Sequence, residues 1–175
     1  MERSTAGRSM MFFLSVYLVL MILLPLLYPY GSFTGLDGRA GVIENWEGLS
    51  HADPVTRLIY LMGDLFCHQE ESRSFIINGS QMAFCQRDVS IVTGVILGLA
   101  VTDESIGKVY AGNRMVLIAG ALMILLTAVE WGAEYVSGHD LLAARVATGV
   151  LAGVGIASVV QYAVTKQYEK IMGFE

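Results

Sequence analysis

Four apolar stretches, each nearly free of charge, predict membrane-spanning helices at about residues 9–29, 86–101, 114–136 and 141–164. The first contains about twenty uncharged residues, which is enough for a helix to cross roughly 30 Å of hydrocarbon. Pro25 should kink this helix or end it. The run at 86–101 is the shortest, and it fits a bilayer only if its first turn lies at the interface.

Residues 30–85 separate the first two runs and predict an outer loop that contains one short helix. Residues 55–66 have apolar side chains at helical spacing but are too few to cross a bilayer. They predict a helix that lies on the membrane or packs against the bundle. The same pattern places Asp64 on the polar surface of this helix.

A β-hairpin is the second predicted element of the outer loop. Asn78 and Gly79 stand between two apolar flanks, which indicates a tight turn with positive φ at both residues. A two-residue turn there should place residue 73 opposite residue 84. The hairpin would therefore carry Cys85 back towards Cys67.

The composition agrees with these elements. Hydrophobic residues make up 54% of the chain, charged residues only 15%, and the mean hydropathy is +0.56. This is typical of a polytopic membrane protein. We therefore predict a single domain over residues 1–175. Its fold class is an all-α membrane protein with four transmembrane helices, a short interfacial helix and a small extracytoplasmic β-hairpin.

The distribution of charge predicts the orientation and excludes one class of partner. The net charge is −5 and the sequence contains no basic stripe, so nucleic acid is not expected as a partner. Short segments on one predicted side carry more Lys and Arg than the long loop on the other, which favours cytoplasmic termini and a cell-membrane location. We interpret the first helix as an uncleaved anchor because its apolar run is long for a signal peptide. The bilayer is thus the expected partner.

Two cysteines, Cys67 and Cys85, leave three interpretations open. They could form one disulfide, ligate a metal, or stay as inert thiols. A metal site would use Cys67, His68, Cys85 and Asp88, because Cys85 and Asp88 are three residues apart and share a helical face. Ligands of these types suit zinc or ferrous iron as the cofactor.

A layer of ionisable residues is predicted near the outer ends of the last two helices. Glu130 and Glu134 precede the predicted turn between them, and Arg145 follows it at a similar distance, so the three should lie at nearly one depth. An ion-paired cluster is expected, with Arg87 as a further supporting residue at the outer end. The cluster could line a functional cavity or simply fix the helix register.

Two blocks within roughly residues 55–155 form a recognisable signature: Cys67-His68-Gln69, Arg73-Ser74-Phe75, Gly79, Gln81-Met82, Cys85, Arg87, Gly94 and Gly98, then Glu130, Glu134, Arg145 and Thr148-Gly149. This signature resembles that of a known family, the small predicted membrane proteins grouped as domain of unknown function 2085. In that family many members have Cys where this chain has Asp88. Such an exchange suits a metal ligand better than a disulfide partner. The resemblance implies no activity.

Two classes of function follow from these residues. The chain could be a binding or assembly module whose outward Cys-His-Cys-Asp stretch holds a metal or a disulfide. Alternatively, it could be a metal-dependent membrane enzyme in which His68 or Glu130 is the general acid or base. Small residues predict helix faces for a membrane partner or a second copy of the chain, namely Gly94 with Gly98 and Gly149 with Gly153.

Overall fold

The computed structural model describes residues 2–37, 39–103, 113–138 and 141–171. It is mostly helical, with one two-stranded antiparallel sheet. The helices are α1 (Glu2–Leu23), α2 (Pro54–Phe66), α3 (Gln86–Asp103), α4 (Arg114–Ser137) and α5 (Leu142–Ile171), and the strands are β1 (Ser74–Ile77) and β2 (Ser80–Cys85).

Three helical segments in the described part of the chain are long and apolar enough to cross a membrane: Gly7–Leu27, Arg114–Ser137 and Leu142–Gln167. Pro25 lies in a 3-10 turn, Leu24–Leu27, that ends the first of them, as the sequence predicts. Helix α3 does not join the three. It has 18 residues and carries Arg87, Asp88 and Asp103. The fourth membrane crossing and the orientation of the chain stay predictions.

The chain divides into two compact units. One unit is Val16–Val89, called the loop unit below, and the other combines Met1–Ser15 with Ser90–Glu175, called the helical unit. The loop unit has its own apolar core, in which Phe33, Leu49 and Tyr60 are almost fully buried. The segment between α1 and α2 therefore packs as a folded part of the protein, although its described residues after the 3-10 turn Leu24–Leu27 form no helix or strand.

Helix α2 begins with a complete N-cap. The Asp53 side chain accepts hydrogen bonds from the backbone N–H groups of Val55 and Thr56, and Pro54 occupies the first helical position. The hydroxyl groups of Tyr28 and Thr56 also donate to Asp53. These hydrogen bonds stabilise the carboxylate and hold the pKa of Asp53 well below its usual value.

The prediction for the faces of α2 was wrong at Asp64. This residue is 2% exposed, whereas the apolar Leu58 and Phe66 are 60% and 70% exposed. The buried face of the helix carries Asp64 because loop residues satisfy its carboxylate with hydrogen bonds. The apolar pattern alone does not reveal such partners.

The hairpin turn is confirmed, but its predicted register was wrong beyond the turn. Asn78 and Gly79 have φ of 52° and 68°, and Ile77 pairs with Ser80. At the open end, Ser74 pairs with Cys85 because the register shifts between Ser74 and Ile76. This bulge replaces the expected pairing of residues 73 and 84.

Close contacts between glycines and backbone pack the helical unit. A Cβ atom on Gly94 of α3 would lie 2.1 Å from the carbonyl oxygen of Val150 in α5, and one on Gly153 would lie 2.1 Å from that of Ile91. Gly98 likewise meets Ala157. Gly94, Gly98 and Gly153 thus pack against helices of the same chain. A membrane partner or a second copy of the chain stays a prediction.

Gly63 of α2 provides a test of packing in the loop unit. A Cβ atom there would lie 2.0 Å from the backbone oxygen of Ala83 and 2.2 Å from Nε2 of Gln69. We expect Gly63→Ala to lower the free energy of unfolding by about 1–3 kcal/mol or more, because the backbone must shift. The measurement is thermal unfolding of purified protein in detergent. Gly132→Ala in α4 is the matched control, since no atom lies within 4 Å of its Cβ. Equal stability of the two variants would contradict this packing.

The N-cap of α2 predicts a dependence of stability on pH. Because folding lowers the pKa of Asp53, the folded state is stabilised above the ordinary pKa of aspartate and loses this stabilisation as the pH falls through the folded-state value. Asp53→Asn keeps a capping side chain but removes the charge. We expect its melting temperature to lie below that of the wild type at pH 7 and to approach it on acidification towards pH 2. A difference that is independent of pH would contradict the charged cap.

Candidate metal centre

Three side chains that can ligate a metal meet in the loop unit. The sulfur atoms of Cys67 and Cys85 and a carboxylate oxygen of Asp88 all lie within 4.8 Å of one another. Cys85 Sγ is 3.1 Å from Asp88 Oδ2, which is hydrogen-bond distance for a thiol. Cys67 is buried, and Cys85 and Asp88 are half-buried.

Each ligand stands where a secondary structure element ends or begins. Cys67 caps the C-terminus of α2 in an extended conformation, and its backbone N–H donates to the carbonyl of Gly63. Cys85 is the last residue of β2, and Asp88 lies in the first turn of α3. The hairpin therefore carries Cys85 back to Cys67, as the turn predicts. The N-terminal end of α3 also favours negatively charged ligands.

The spacing of the three atoms is compatible with a metal ion. Two sulfurs bound to zinc at about 2.3 Å with tetrahedral geometry are about 3.8 Å apart. The sulfurs of Cys67 and Cys85 need only a small side-chain adjustment to reach that separation. Both cysteines are free in the structure. The disulfide of the alternative interpretation stays a prediction.

The two thiols differ in acidity because they share a hydrogen bond. The hydrogen bond from Cys85 lowers the pKa of Cys67, and burial opposes this effect. The same hydrogen bond and burial raise the pKa of Cys85. The pKa of Cys67 is therefore lower than that of Cys85, and a metal ion would bind both sulfurs as thiolates.

His68 is not part of this group of ligand atoms. Among the described residues, the group contains Cys67, Cys85 and Asp88, while the His68 side chain is exposed. Neighbouring side chains along an extended backbone point to opposite sides. Since Cys67 is extended and buried, His68 turns outwards. Of the four predicted ligands, the structure thus brings together Cys67, Cys85 and Asp88 and leaves His68 outside the group.

Gln69 holds the chain beside Cys67 in place. Its φ is +46°, in the left-handed region that non-glycine residues seldom adopt, and its side chain is fully buried. The side-chain amide donates to the backbone oxygens of Tyr60 in α2 and Ala83 in β2 at 2.8 and 2.9 Å. It therefore connects the helix that ends at Cys67 to the strand that ends at Cys85.

Gln81 connects the hairpin to the preceding loop. Its side chain accepts from the backbone N–H of Leu36 and donates to the carbonyls of Leu36 and Gln69. Tyr60 Oη donates to the backbone oxygen of Gln81 at 2.8 Å. Burial raises the pKa of Tyr60, so this phenol stays a neutral donor. We call the four linked side chains of Gln69, Gln81, Asn45 and Asp64 the buried amide network.

Asn45 and Asp64 complete the buried amide network on its loop side. The Asp64 carboxylate accepts from the backbone N–H groups of Glu44 and Asn45 and from the side-chain amide of Asn45. The same amide donates to Oε1 of Gln69 at 3.0 Å. The loop is thereby fixed against the segment that carries Cys67.

Sequence reasoning gave no role to the four members of the buried amide network. Gln69 and Gln81 entered only through the family resemblance, and Asp64 was placed on the surface. The available signal was the density of amide residues between Cys67 and Cys85 in a chain that is otherwise mostly apolar. Buried amides need partners, so such a cluster indicates an ordered polar core.

Three members of the predicted ionisable layer, Glu130, Glu134 and Arg145, belong to the helical unit. Arg145 of α5 forms a buried ion pair with Glu134 of α4. The Thr148 hydroxyl lies 3.3 Å from a carboxylate oxygen of Glu130, one helical turn before Glu134. Arg87 lies in the loop unit, in the first turn of α3, and is half-buried. His139 lies outside the described residues.

Comparison with known proteins agrees with the resemblance seen in the sequence. A family model described as a predicted membrane protein, DUF2085, matches residues 67–159, which is more than half of the chain. The match begins at Cys67 and includes Cys85, Asp88 and the ion pair of Glu134 with Arg145. No solved structure matches the chain.

A curated relative comes from Methanocaldococcus jannaschii and is called uncharacterized protein MJ1492. It is 30% identical over 92 residues, an alignment that covers 53% of this chain and 46% of that protein. The chain thus spans about half the length of the curated relative it matches. Because the family model matches more than half of the chain, the chain belongs to the DUF2085 family of predicted membrane proteins.

Proposed function

We propose that this membrane protein crosses the cell membrane several times and uses its loop unit as a metal-binding module. The observation that carries the proposal is the convergence of two sulfurs and one carboxylate within 4.8 Å. No other cysteines are present in the chain, and residues 18 positions apart in sequence meet only because α2 and the hairpin fold together. The module serves binding or assembly in the membrane.

Zinc or ferrous iron fits the three ligands best. Thiolates favour these metals over magnesium or calcium, and a carboxylate makes the site more labile than one built from cysteines alone. Cys67, Cys85 and Asp88 would fill three positions of a tetrahedral site. The fourth position would take water, the adjacent His68 after rotation of its side chain, or a ligand from a membrane partner.

Metal analysis of the purified protein tests this proposal. We expect about one zinc or iron ion per chain, with both thiols protected from alkylation until a chelator removes the metal. Asp88→Asn should bind the metal at least tenfold more weakly because a charged ligand is lost. Asp37→Asn is the matched control, since Asp37 is an exposed aspartate of the same unit. Metal-free protein in which both thiols react at once would contradict the proposal.

The alternative function is that of a metal-dependent membrane enzyme, and the number of protein ligands supports it. Catalytic zinc sites keep three protein ligands and an open position for water or substrate. His68 is exposed and adjacent to Cys67, where it could act as a general acid or base, and Glu130 is the other candidate. The substrate would approach from the outer membrane interface.

Substitution of His68 separates the two functions. In a binding module, His68→Ala should lower metal affinity if His68 is the fourth ligand or leave it unchanged if water is. In an enzyme, the same change should leave metal bound while hydrolysis of a chromogenic ester falls at least tenfold. His51→Ala is the control, because His51 is exposed in the same unit and stacks on Phe33. Metal-loaded wild type without such hydrolysis would count against the enzyme.

A further inference from the structure

The metal ligands of the loop unit are also a potential disulfide pair. Cys67 and Cys85 have sulfur atoms within 4.8 Å, and both are free. A disulfide brings two sulfurs to about 2.05 Å, which requires side-chain rotation and a modest approach of the two segments. Each cysteine stands at the end of its element, where such an adjustment disturbs the regular hydrogen bonds least.

We propose that the site is redox-regulated: it binds the metal when Cys67 and Cys85 are reduced and releases it when they form a disulfide. This inference rests on the metal-binding function proposed above. The two states exclude each other because both use the same sulfur atoms. In the oxidised state Asp88 would be left as a single carboxylate, which is too weak a site to retain zinc.

The access of an oxidant also fits this proposal. Cys85 is half-buried, so a small molecule can reach it, whereas Cys67 is 6% exposed and belongs to the buried core of the unit. A small hydroperoxide is therefore the class of oxidant that the site admits. A buried partner thiol within 4.8 Å would then close the disulfide before further oxidation of the first sulfur.

The chemistry balances with hydrogen peroxide as the oxidant. One cysteine sulfur attacks a peroxide oxygen, the O–O bond breaks, and a sulfenic acid and water are formed. The other thiolate attacks the sulfenic sulfur, the S–O bond breaks, and the leaving hydroxide takes a proton from the solvent to give a second water. In total the two zinc-bound thiolates lose two electrons, the solvent supplies two protons, and the peroxide is reduced to two water molecules. Zinc leaves as a divalent ion without a change of oxidation state.

The experiment follows zinc and thiols together in the full-length protein. Zinc-loaded protein in lipid nanodiscs is treated with hydrogen peroxide while a chromogenic chelator reports released zinc. Samples taken at intervals are quenched with catalase, unfolded with EDTA to remove the remaining zinc, and labelled with maleimide to count the thiols. We expect loss of two thiols and release of one zinc per chain with the same rate constant. Dithiothreitol should restore both thiols and zinc binding. Intact mass should show the loss of two hydrogens without added oxygen.

Variants identify which part of the account fails. Asp88→Asn keeps both cysteines and should form the same disulfide, although it binds zinc more weakly. Cys67→Ser leaves the more accessible Cys85 without its partner, so it should form no disulfide within the chain, and its oxidation should add oxygen instead. Zinc retained under peroxide, or released with oxygen-bearing sulfurs that dithiothreitol does not restore, would overturn the redox switch while the metal site stands. Protein that binds no zinc yet forms the disulfide would overturn the metal function itself.

Discussion

The loop unit depends on hydrogen bonds from two buried glutamine side chains. The described residues between the 3-10 turn Leu24–Leu27 and α2 form no helix or strand, so their backbone groups need other partners, such as side chains, when they are buried. Gln81 provides them for Leu36, and Gln69 connects α2 with β2. A buried amide that lost its partners would cost about 1–3 kcal/mol. These contacts therefore fix where α2 ends and where the hairpin returns.

The candidate metal centre is a consequence of this arrangement. Cys67 follows the last turn of α2, and Cys85 is the last residue of the strand that Gln69 binds. Gly63 allows the helix to approach the strand because a side chain there would collide with Ala83. In metal sites, hydrogen bonds from residues next to the ligands typically orient the ligand side chains. In the helical unit, glycines have a related role: they bring α3 and α5 together at Gly94 and Gly153.

The sequence predicts the parts of this protein that depend on local chemistry. Asn78-Gly79 gives the hairpin turn, and Pro25 ends the first apolar helix. Prediction from the sequence fails where contacts with residues far away in the chain determine burial or strand register. Asp64 is buried because Asn45 satisfies it, and the bulge at the open end of the hairpin shifts its register. The meeting of Cys67 and Cys85 follows from the turn, whereas the outward position of His68 depends on the backbone conformation at Cys67.

X-ray absorption spectroscopy at the zinc edge of the purified, zinc-loaded protein tests the central claim most directly. The account predicts two sulfur neighbours at about 2.3 Å and one or two oxygen or nitrogen neighbours at about 2.0–2.1 Å. Asp88→Asn should change the oxygen shell and leave the sulfur shell intact. A spectrum without sulfur neighbours, or a protein that retains no zinc although both thiols are reduced, would contradict the account.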